Sequence, residues 1–187
     1  MIMIRQFVKS LVALLISCCA CYTVYAENKS YANDNWLDWQ EDEIASFPQF
    51  DPKKAIAIHL DPQSQMQWYV DPNTVTLGKD HIPRYVVLAV SKTGIVNAMY
   101  EGIFCKNNTY KVYARTIGKE DQNNFDWRPA DNPQWQNISD LPPYAHQKVL
   151  ARLVMCDEYA SPTSIDVILR RLKNPYTSPA SPTERWR

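Results

Sequence analysis

The stretch RYVVLAVSKTGIVNAMYEGIFCKNNTYKVYARTI, Arg84 to Ile117, decides the fold of this chain. It predicts three successive β-strands, because runs rich in valine, isoleucine and tyrosine are separated by two short polar connections. The connections are Lys92-Thr93-Gly94 and Lys106-Asn107-Asn108. A three-residue first loop, with its glycine in the left-handed conformation, pairs Ser91 with Ile95. The stretch therefore predicts an antiparallel meander.

This register predicts one apolar face and one mixed face of the sheet, because side chains alternate along a strand. The apolar face collects Val86, Leu88, Val90, Val96, Ala98, Tyr100, Phe104, Tyr110, Val112 and Ala114. The mixed face collects Tyr85, Val87, Asn97, Met99, Glu101, Lys111, Tyr113 and Arg115. A mixed aromatic and charged face fits a solvated surface, with cross-strand pairs, and also fits a binding surface.

The segments around the meander predict an α+β fold. Further strands are expected at Ala55–Leu60, Gln67–Val70 and Thr74–Leu77, and a helix at Tyr144–Met155. We therefore expect an antiparallel β-sheet of five or six strands, with this C-terminal helix packed on its apolar face. A second short helix is expected from Ser161, with Ser161 as N-cap and Pro162 at the first helical position. No internal repeat is present.

The amino terminus predicts a secretory signal peptide over residues 1–26. Arg5 and Lys9 provide a positive start, and Ser10 to Ala20 carries no charge. The apolar run is shorter than the ~20 residues that a membrane-spanning helix needs. Two processing sites compete: cleavage after Ala26 gives a free periplasmic protein, and cleavage before Cys18 gives a membrane-anchored lipoprotein.

The cysteines favour cleavage after Ala26. The chain has 5 cysteines, and only Cys105 and Cys156 lie outside the signal. In an exported protein this even pair is most simply a disulfide. It would close a loop of about 50 residues and stabilise the folded protein by about 3–4 kcal/mol. A catalytic thiol at Cys105 is the rival interpretation.

Composition and motifs exclude several classes of function. The chain has 20 basic and 20 acidic residues, so it offers no basic field for nucleic acid and no cationic face for anionic lipid. The 4 glycines form no phosphate-binding loop, and the 3 histidines have no spacing typical of zinc ligands. We therefore expect no cofactor, no metal and no membrane span in the mature domain.

A specific series of residues resembles the CNP1-like family of small exported proteobacterial proteins. The distinctive run is Tyr100-Glu101-Gly102-Ile103-Phe104-Cys105, and Trp39-Gln40-Glu41 matches a Trp-x-Glu opening. The other matching residues are Trp68, Tyr69, Val70, Asp71, Thr76, Leu77, Gly78, Asp80, Arg84, Tyr85, Ser91, Gly94, Asn97, Trp127, Trp135 and Cys156. The resemblance implies export, pairing of Cys105 with Cys156, and one domain at residues 36–158. Residues 159–187 lie outside the resemblance, and their composition predicts a short helix and a disordered, proline-rich tail. It implies no activity.

The leading functional hypothesis is a non-enzymatic envelope module that binds another envelope protein or a cell-wall component. Its candidate binding residues are Tyr85, Glu101, Tyr113 and Arg115 on the mixed face, with Asp71, Asp80 and Arg84 in adjoining loops. Two alternatives stay open. One is a small periplasmic hydrolase using His81 with Asp80 or Glu101 as acid and base. The other is a structural accessory subunit of an envelope complex, with a large apolar patch.

Overall fold

A computed structural model describes residues 39–60, 65–121, 124–158 and 160–174. The predicted signal peptide and the proline-rich tail therefore lie outside the described residues, and so do residues 36–38. The described residues from Gln40 to Asn174 belong to one compact unit.

The structure confirms the α+β class and the antiparallel sheet. Its strands are β1 (Ile56–Ile58), β2 (Met66–Leu77), β3 (Pro83–Ser91), β4 (Ile95–Phe104), β5 (Thr109–Lys119), β6 (Arg128–Pro129) and β7 (Gln136–Asn137). The first six lie in chain order across the sheet, and β7 pairs with β5 beside β6. The strands beyond the predicted set are two residues long and could not be recognised from a periodic pattern.

The predicted register of the first hairpin is correct. Val90 lies opposite Val96, which places Ser91 opposite Ile95, and Gly94 has a φ of 76°. The Ser91 hydroxyl oxygen also accepts a hydrogen bond from the Ile95 amide at 3.0 Å, which closes the turn. The second connection is a 3₁₀ turn, Cys105–Asn107, and it ends at Asn108 in the left-handed conformation with a φ of 52°.

The two predicted strands at Gln67–Val70 and Thr74–Leu77 are one long strand, β2, with an irregularity between Asp71 and Thr76. The Asp71 carboxylate accepts the amides of Asn73 at 2.9 Å and Asp51 at 2.8 Å. Side-chain bonds of this kind replace ladder bonds locally. The turn chemistry thus bends β2 without ending it.

Within the described residues, a 3₁₀ turn (Ile138–Asp140) and two longer helices follow the sheet in the chain. The first, α1, is α-helical over His146–Leu150 and continues as a wider π-helical turn over Ala151–Met155. The second, α2, spans Ile165–Lys173 with Ser164 at the N-cap. The predicted start at Ser161 was wrong, because the Ser161 hydroxyl donates to the His81 carbonyl. Neither helix combines the length and apolar character required to cross a membrane, within the residues described.

The disulfide between Cys105 and Cys156 is present, with 5.6 Å between the Cα atoms. It joins the end of β4 to the residue that follows the π-helical turn of α1. The interpretation of Cys105 as a catalytic thiol is wrong, because its sulfur is bonded to the sulfur of Cys156.

A β-bulge in β5 corrects the predicted composition of the two faces. Tyr100 lies opposite Ala114, and Glu101 lies opposite Val112, so Tyr113 is an extra residue in β5. A bulge shifts alternation by one position. Tyr110 and Val112 consequently share the face of Glu101, whereas Tyr113 lies on the face of Tyr100.

The helices pack on the face of Tyr85, Val87 and Met99, and not on the face predicted to be apolar. The other face, with Val86, Leu88 and Val96 at 0% exposure, is covered by the amino-terminal segment and the loop before β6. Phe50 of that segment stacks on Phe125 of the loop with ring centroids 4.4 Å apart. Both faces are therefore buried over most of the sheet, because the chain supplies an apolar cover for each of them.

Candidate functional site

Glu101 lies in a buried polar network under α1. Its side chain is completely buried, and both carboxylate oxygens have hydrogen-bond partners. Oε2 accepts the Tyr85 hydroxyl at 3.3 Å and lies 2.9 Å from His146 Nε2, while Oε1 accepts Gln147 Nε2 at 3.2 Å. We call these four residues the Glu101 network. Its donors suit a carboxylate, which accepts hydrogen bonds only.

The network fixes the start of α1 on the sheet. His146 and Gln147 are its first two residues, and the Trp68 ring of β2 stacks on the imidazole with centroids 4.4 Å apart. Burial, and then the neighbouring Glu101, raise the pKa of Tyr85 well above its ordinary value, so this phenol remains a donor. Sequence reasoning missed His146 and Gln147, because two polar residues at a helix start are typical of a solvated end.

A second cluster surrounds Glu41 of the amino-terminal segment. Glu41 Oε2 accepts Lys111 Nζ at 2.8 Å and Trp135 Nε1 at 3.3 Å, and Oε1 accepts the Tyr113 hydroxyl at 2.8 Å. Arg84 Nη2 lies 4.0 Å from Oε1. We call this the Glu41 anchor, because it fastens the amino-terminal segment across the sheet. It gives a structural reason for the Trp-x-Glu opening.

Asp80 and Arg84 form a buried ion pair next to this anchor. Asp80 Oδ1 accepts Arg84 Nη1 at 3.1 Å, and the Arg84 guanidinium lies 5.5 Å from the Tyr113 ring centroid. Burial raises the pKa of Asp80, but the hydrogen bonds from Arg84 and from the amides of Asp42 and Ile82 outweigh burial, so this pKa lies below its ordinary value. Burial opposes the charge of Arg84 as well, yet Asp80 holds the pKa of Arg84 above its ordinary value.

We expect the contribution of Asp80 to stability to be complete at neutral pH and lost in acid. Its folded pKa is depressed, so the contribution is present above the unfolded value of about 4 and disappears as the pH falls through the folded pKa. Urea unfolding of the wild type and of Asp80→Asn, across a pH series, measures this. The difference in free energy of unfolding should be constant above about pH 5 and shrink below about pH 4. A difference that does not change with pH contradicts the assignment.

The predicted acid–base pairs with His81 are not formed in the described part of the chain. His81 has a φ of 62°, and its side chain is exposed. Its described hydrogen bonds are those of its backbone amide, which donates to the Gly78 carbonyl, and of its backbone carbonyl, which accepts from the Ser161 hydroxyl. Asp80 is bonded to Arg84, and Glu101 is bonded to a different histidine, His146. Among the described residues, no group of three histidine, cysteine or acidic side chains is placed to hold a metal ion.

Six of the seven candidate binding residues are buried. Exposure is 0% for Tyr85 and Glu101, 1% for Asp71, 4% for Asp80 and Arg84, and 6% for Tyr113. The bulge also separates Tyr113 from Tyr85 and Glu101, so the predicted surface is not one face. Arg115 alone is exposed among them. The hypothesis of a solvated or binding face therefore fails where the helices cover it.

Arg115 lies beside a second exposed arginine and an exposed isoleucine. It is directly opposite Arg128 in the pairing of β5 with β6, and both residues are exposed. Ile117, two residues along β5 on the same face, is 74% exposed. The three residues line a groove of about 650 Å³, which Phe125 and Asp126 also line. We call this the arginine groove.

The fold and these clusters define a disulfide-bonded α+β protein with one antiparallel sheet that is covered on both faces. A family model described as the CNP1-like family matches residues 34–173. Because this match spans most of the chain, the protein belongs to the CNP1-like family. No curated protein and no solved structure matches the chain.

The distinctive run of the family has a structural explanation in this protein. Tyr100 packs in the core under the amino-terminal segment, Glu101 joins the Glu101 network, and Cys105 forms the disulfide. Gly102 leaves room for two neighbours, since a Cβ there would lie 2.8 Å from Ile82 Cγ2 and 2.9 Å from the Tyr113 hydroxyl. The run therefore specifies the architecture and does not by itself mark an active site.

Proposed function

We propose that this protein is exported to the cell envelope and acts there as a non-enzymatic module that binds another envelope protein. The predicted signal peptide over residues 1–26 supports export to the periplasm, and the disulfide agrees with an oxidising compartment. The arginine groove is the proposed contact surface. The groove replaces the buried residues that the sequence suggested, and it retains Arg115.

The observation that carries this proposal is the cross-strand pair of Arg115 and Arg128. Like charges placed directly opposite on a sheet are destabilising. Neither guanidinium forms an ion pair with an acidic side chain in the described residues, although acidic residues occur along the same groove. A partner that brings a carboxylate relieves the repulsion, and arginine is favoured for bidentate recognition of carboxylates.

Ile117 defines the second half of the contact. An aliphatic side chain that is 74% exposed, beside two arginines, has the composition of a protein-interaction site, where arginine and a desolvated apolar contact dominate the binding energy. The partner that fits is a polypeptide segment presenting an apolar side chain next to an aspartate or glutamate. A cell-wall component with free carboxylates is the competing partner, and capture from purified sacculi distinguishes it.

We expect Arg115→Glu combined with Arg128→Glu to weaken capture of the partner by ~30-fold or more, the effect of losing a binding hot spot. Immobilised mature protein is incubated separately with detergent-solubilised envelope proteins and with purified cell-wall sacculi, and the bound material is quantified. Lys53→Glu with Lys92→Glu, two exposed lysines outside the groove, is the matched control with the same charge change.

Both double variants should keep the melting temperature of the wild type, because exposed substitutions usually change stability by about 0.5 kcal/mol or less. Retention from the protein fraction supports the proposed partner class, and retention from sacculi alone assigns the groove to the cell wall. If the groove variant and the lysine variant capture equally, the arginine groove is not the contact surface.

A further inference from the structure

A second concavity, separate from the arginine groove, lies beside the disulfide. It has a volume of about 430 Å³, within the range of small-molecule sites. Its floor is apolar: Ile103 and Ile138 are 0% and 2% exposed, and the two cysteines of the disulfide lie beside them. Lys148 and Arg152 of the first helix stand on its wall. We call this the disulfide cavity.

The wider turn of α1 shapes this cavity. The amide of Cys156 donates to the carbonyl of Ala151 at 3.2 Å, a bond that spans five residues instead of four. Wide turns of this kind are frequent at functional sites. The turn cannot relax freely, because the disulfide fixes its end to β4. The cavity is therefore preformed, which reduces the ordering that a ligand must impose.

The charge of the wall is positive. Lys148 and Arg152 are four residues apart on α1, so they lie on the same side of the helix and repel each other. Lys148 Nζ donates to the carbonyls of Ser139 at 3.1 Å and Leu141 at 2.7 Å, which are neutral partners that leave its charge in place. Arg152 is exposed and forms no ion pair among the described residues. Glu158 is the acidic residue that lines the cavity.

We propose that the disulfide cavity binds a small amphipathic anion, with a compact apolar body against Ile103, Ile138 and the disulfide and a carboxylate or phosphate on Lys148 and Arg152. An apolar floor with two cations on one wall matches both parts of such a molecule. The site shares no residue with the arginine groove. The two proposed sites can therefore be tested with separate variants.

Two fluorescent probes of similar shape and different charge test this site on the mature protein. 8-Anilinonaphthalene-1-sulfonate is anionic, and N-phenyl-1-naphthylamine is its uncharged counterpart. We expect one anionic probe per chain, and Arg152→Gln should weaken that probe by ~10-fold, the loss expected for one charge-assisted hydrogen bond. The same variant should leave the uncharged probe within about twofold, since the apolar contacts persist. Arg170→Gln, an exposed arginine on α2 outside the cavity, is the control and should change neither affinity.

Ala151→Phe fills the cavity and should reduce the binding of both probes, and Ala151→Leu is the milder variant if phenylalanine lowers the melting temperature. Competition by octanoate and by octyl phosphate, each against the bound anionic probe, then distinguishes a carboxylate from a phosphate ligand. Equal weakening by Arg152→Gln and Arg170→Gln overturns the proposal. Undiminished probe binding in both Ala151 variants overturns it too, because the probe would then sit elsewhere.

Discussion

Glu101→Ala is expected to lower the free energy of unfolding by about 3–5 kcal/mol. The substitution leaves the Tyr85 hydroxyl, the His146 ring and the Gln147 amide without their shared acceptor at a site that is 0% exposed. Unpaired buried donors carry the full cost of losing water. The start of α1 also loses its attachment to the sheet, so the loss extends beyond one side chain.

Urea denaturation at neutral pH measures the effect of this substitution. Glu43→Ala is the matched control, since Glu43 is an exposed glutamate in the amino-terminal segment, and the change should be within about 0.5 kcal/mol. Glu101→Gln should fall between the two, because an amide keeps one acceptor oxygen and replaces the other with a donor. A loss below about 1 kcal/mol for Glu101→Ala would show that the network contributes only the net value of an ordinary hydrogen bond.

Replacing both cysteines of the disulfide by alanine should lower the free energy of unfolding by about 4 kcal/mol. The estimate follows from the entropy that the crosslink removes from the unfolded chain, for a sequence separation of 51 residues. Denaturant unfolding of Cys105→Ala with Cys156→Ala, compared with the oxidised wild type, provides the measurement. The wild type unfolded under reducing conditions should match the double variant, which separates the crosslink from the packing of the sulfur atoms. Equal midpoints for the oxidised wild type and the double variant would contradict the estimate.

The meander could be predicted from sequence because its turns carry local signals. Gly94 takes the left-handed conformation that a three-residue loop needs, and the apolar alternation around it permits one register only. The cysteine pairing followed from counting, since the two cysteines outside the predicted signal peptide have one possible pairing. The turns depend on residues that are neighbours in the chain, and the disulfide involves only two cysteines.

The faces of β5 could not be predicted by alternation, because a bulge adds one residue without changing the composition of a strand. The run Val112-Tyr113-Ala114, three consecutive apolar residues, was the available signal. Once the bulge is known, Tyr110 and Val112 belong with the helices, and Tyr113 belongs with Arg84. Alternation within the strands also does not indicate that the amino-terminal segment covers the face of Val86, Leu88 and Val96.

The Glu101 network escaped prediction for a different reason. Glu101 lies in a strand beside tyrosines, where a charged side chain is usually solvated. Its burial depends on His146 and Gln147, which arrive from 45 and 46 residues away and follow no periodic rule. Alternation therefore predicts Tyr85 and Glu101 on a surface, although in the structure both help to hold α1 on the sheet.

The bulge at Tyr113 has a consequence for how β5 tolerates changes of length. Deleting Tyr110 while Thr109 stays opposite Phe104 would move Lys111 into the helix-covered position of Tyr110 and turn over the side chains that follow it. Removing position 113 itself would restore simple alternation and keep Tyr110, Val112 and Ala114 on their present faces, since Glu101 already lies opposite Val112 and Tyr100 opposite Ala114. A deletion at position 113 would therefore remove the contacts of the Tyr113 side chain with Glu41 and Arg84 and the backbone bond from the Ala130 amide, and it would keep the pairing of β4 with β5.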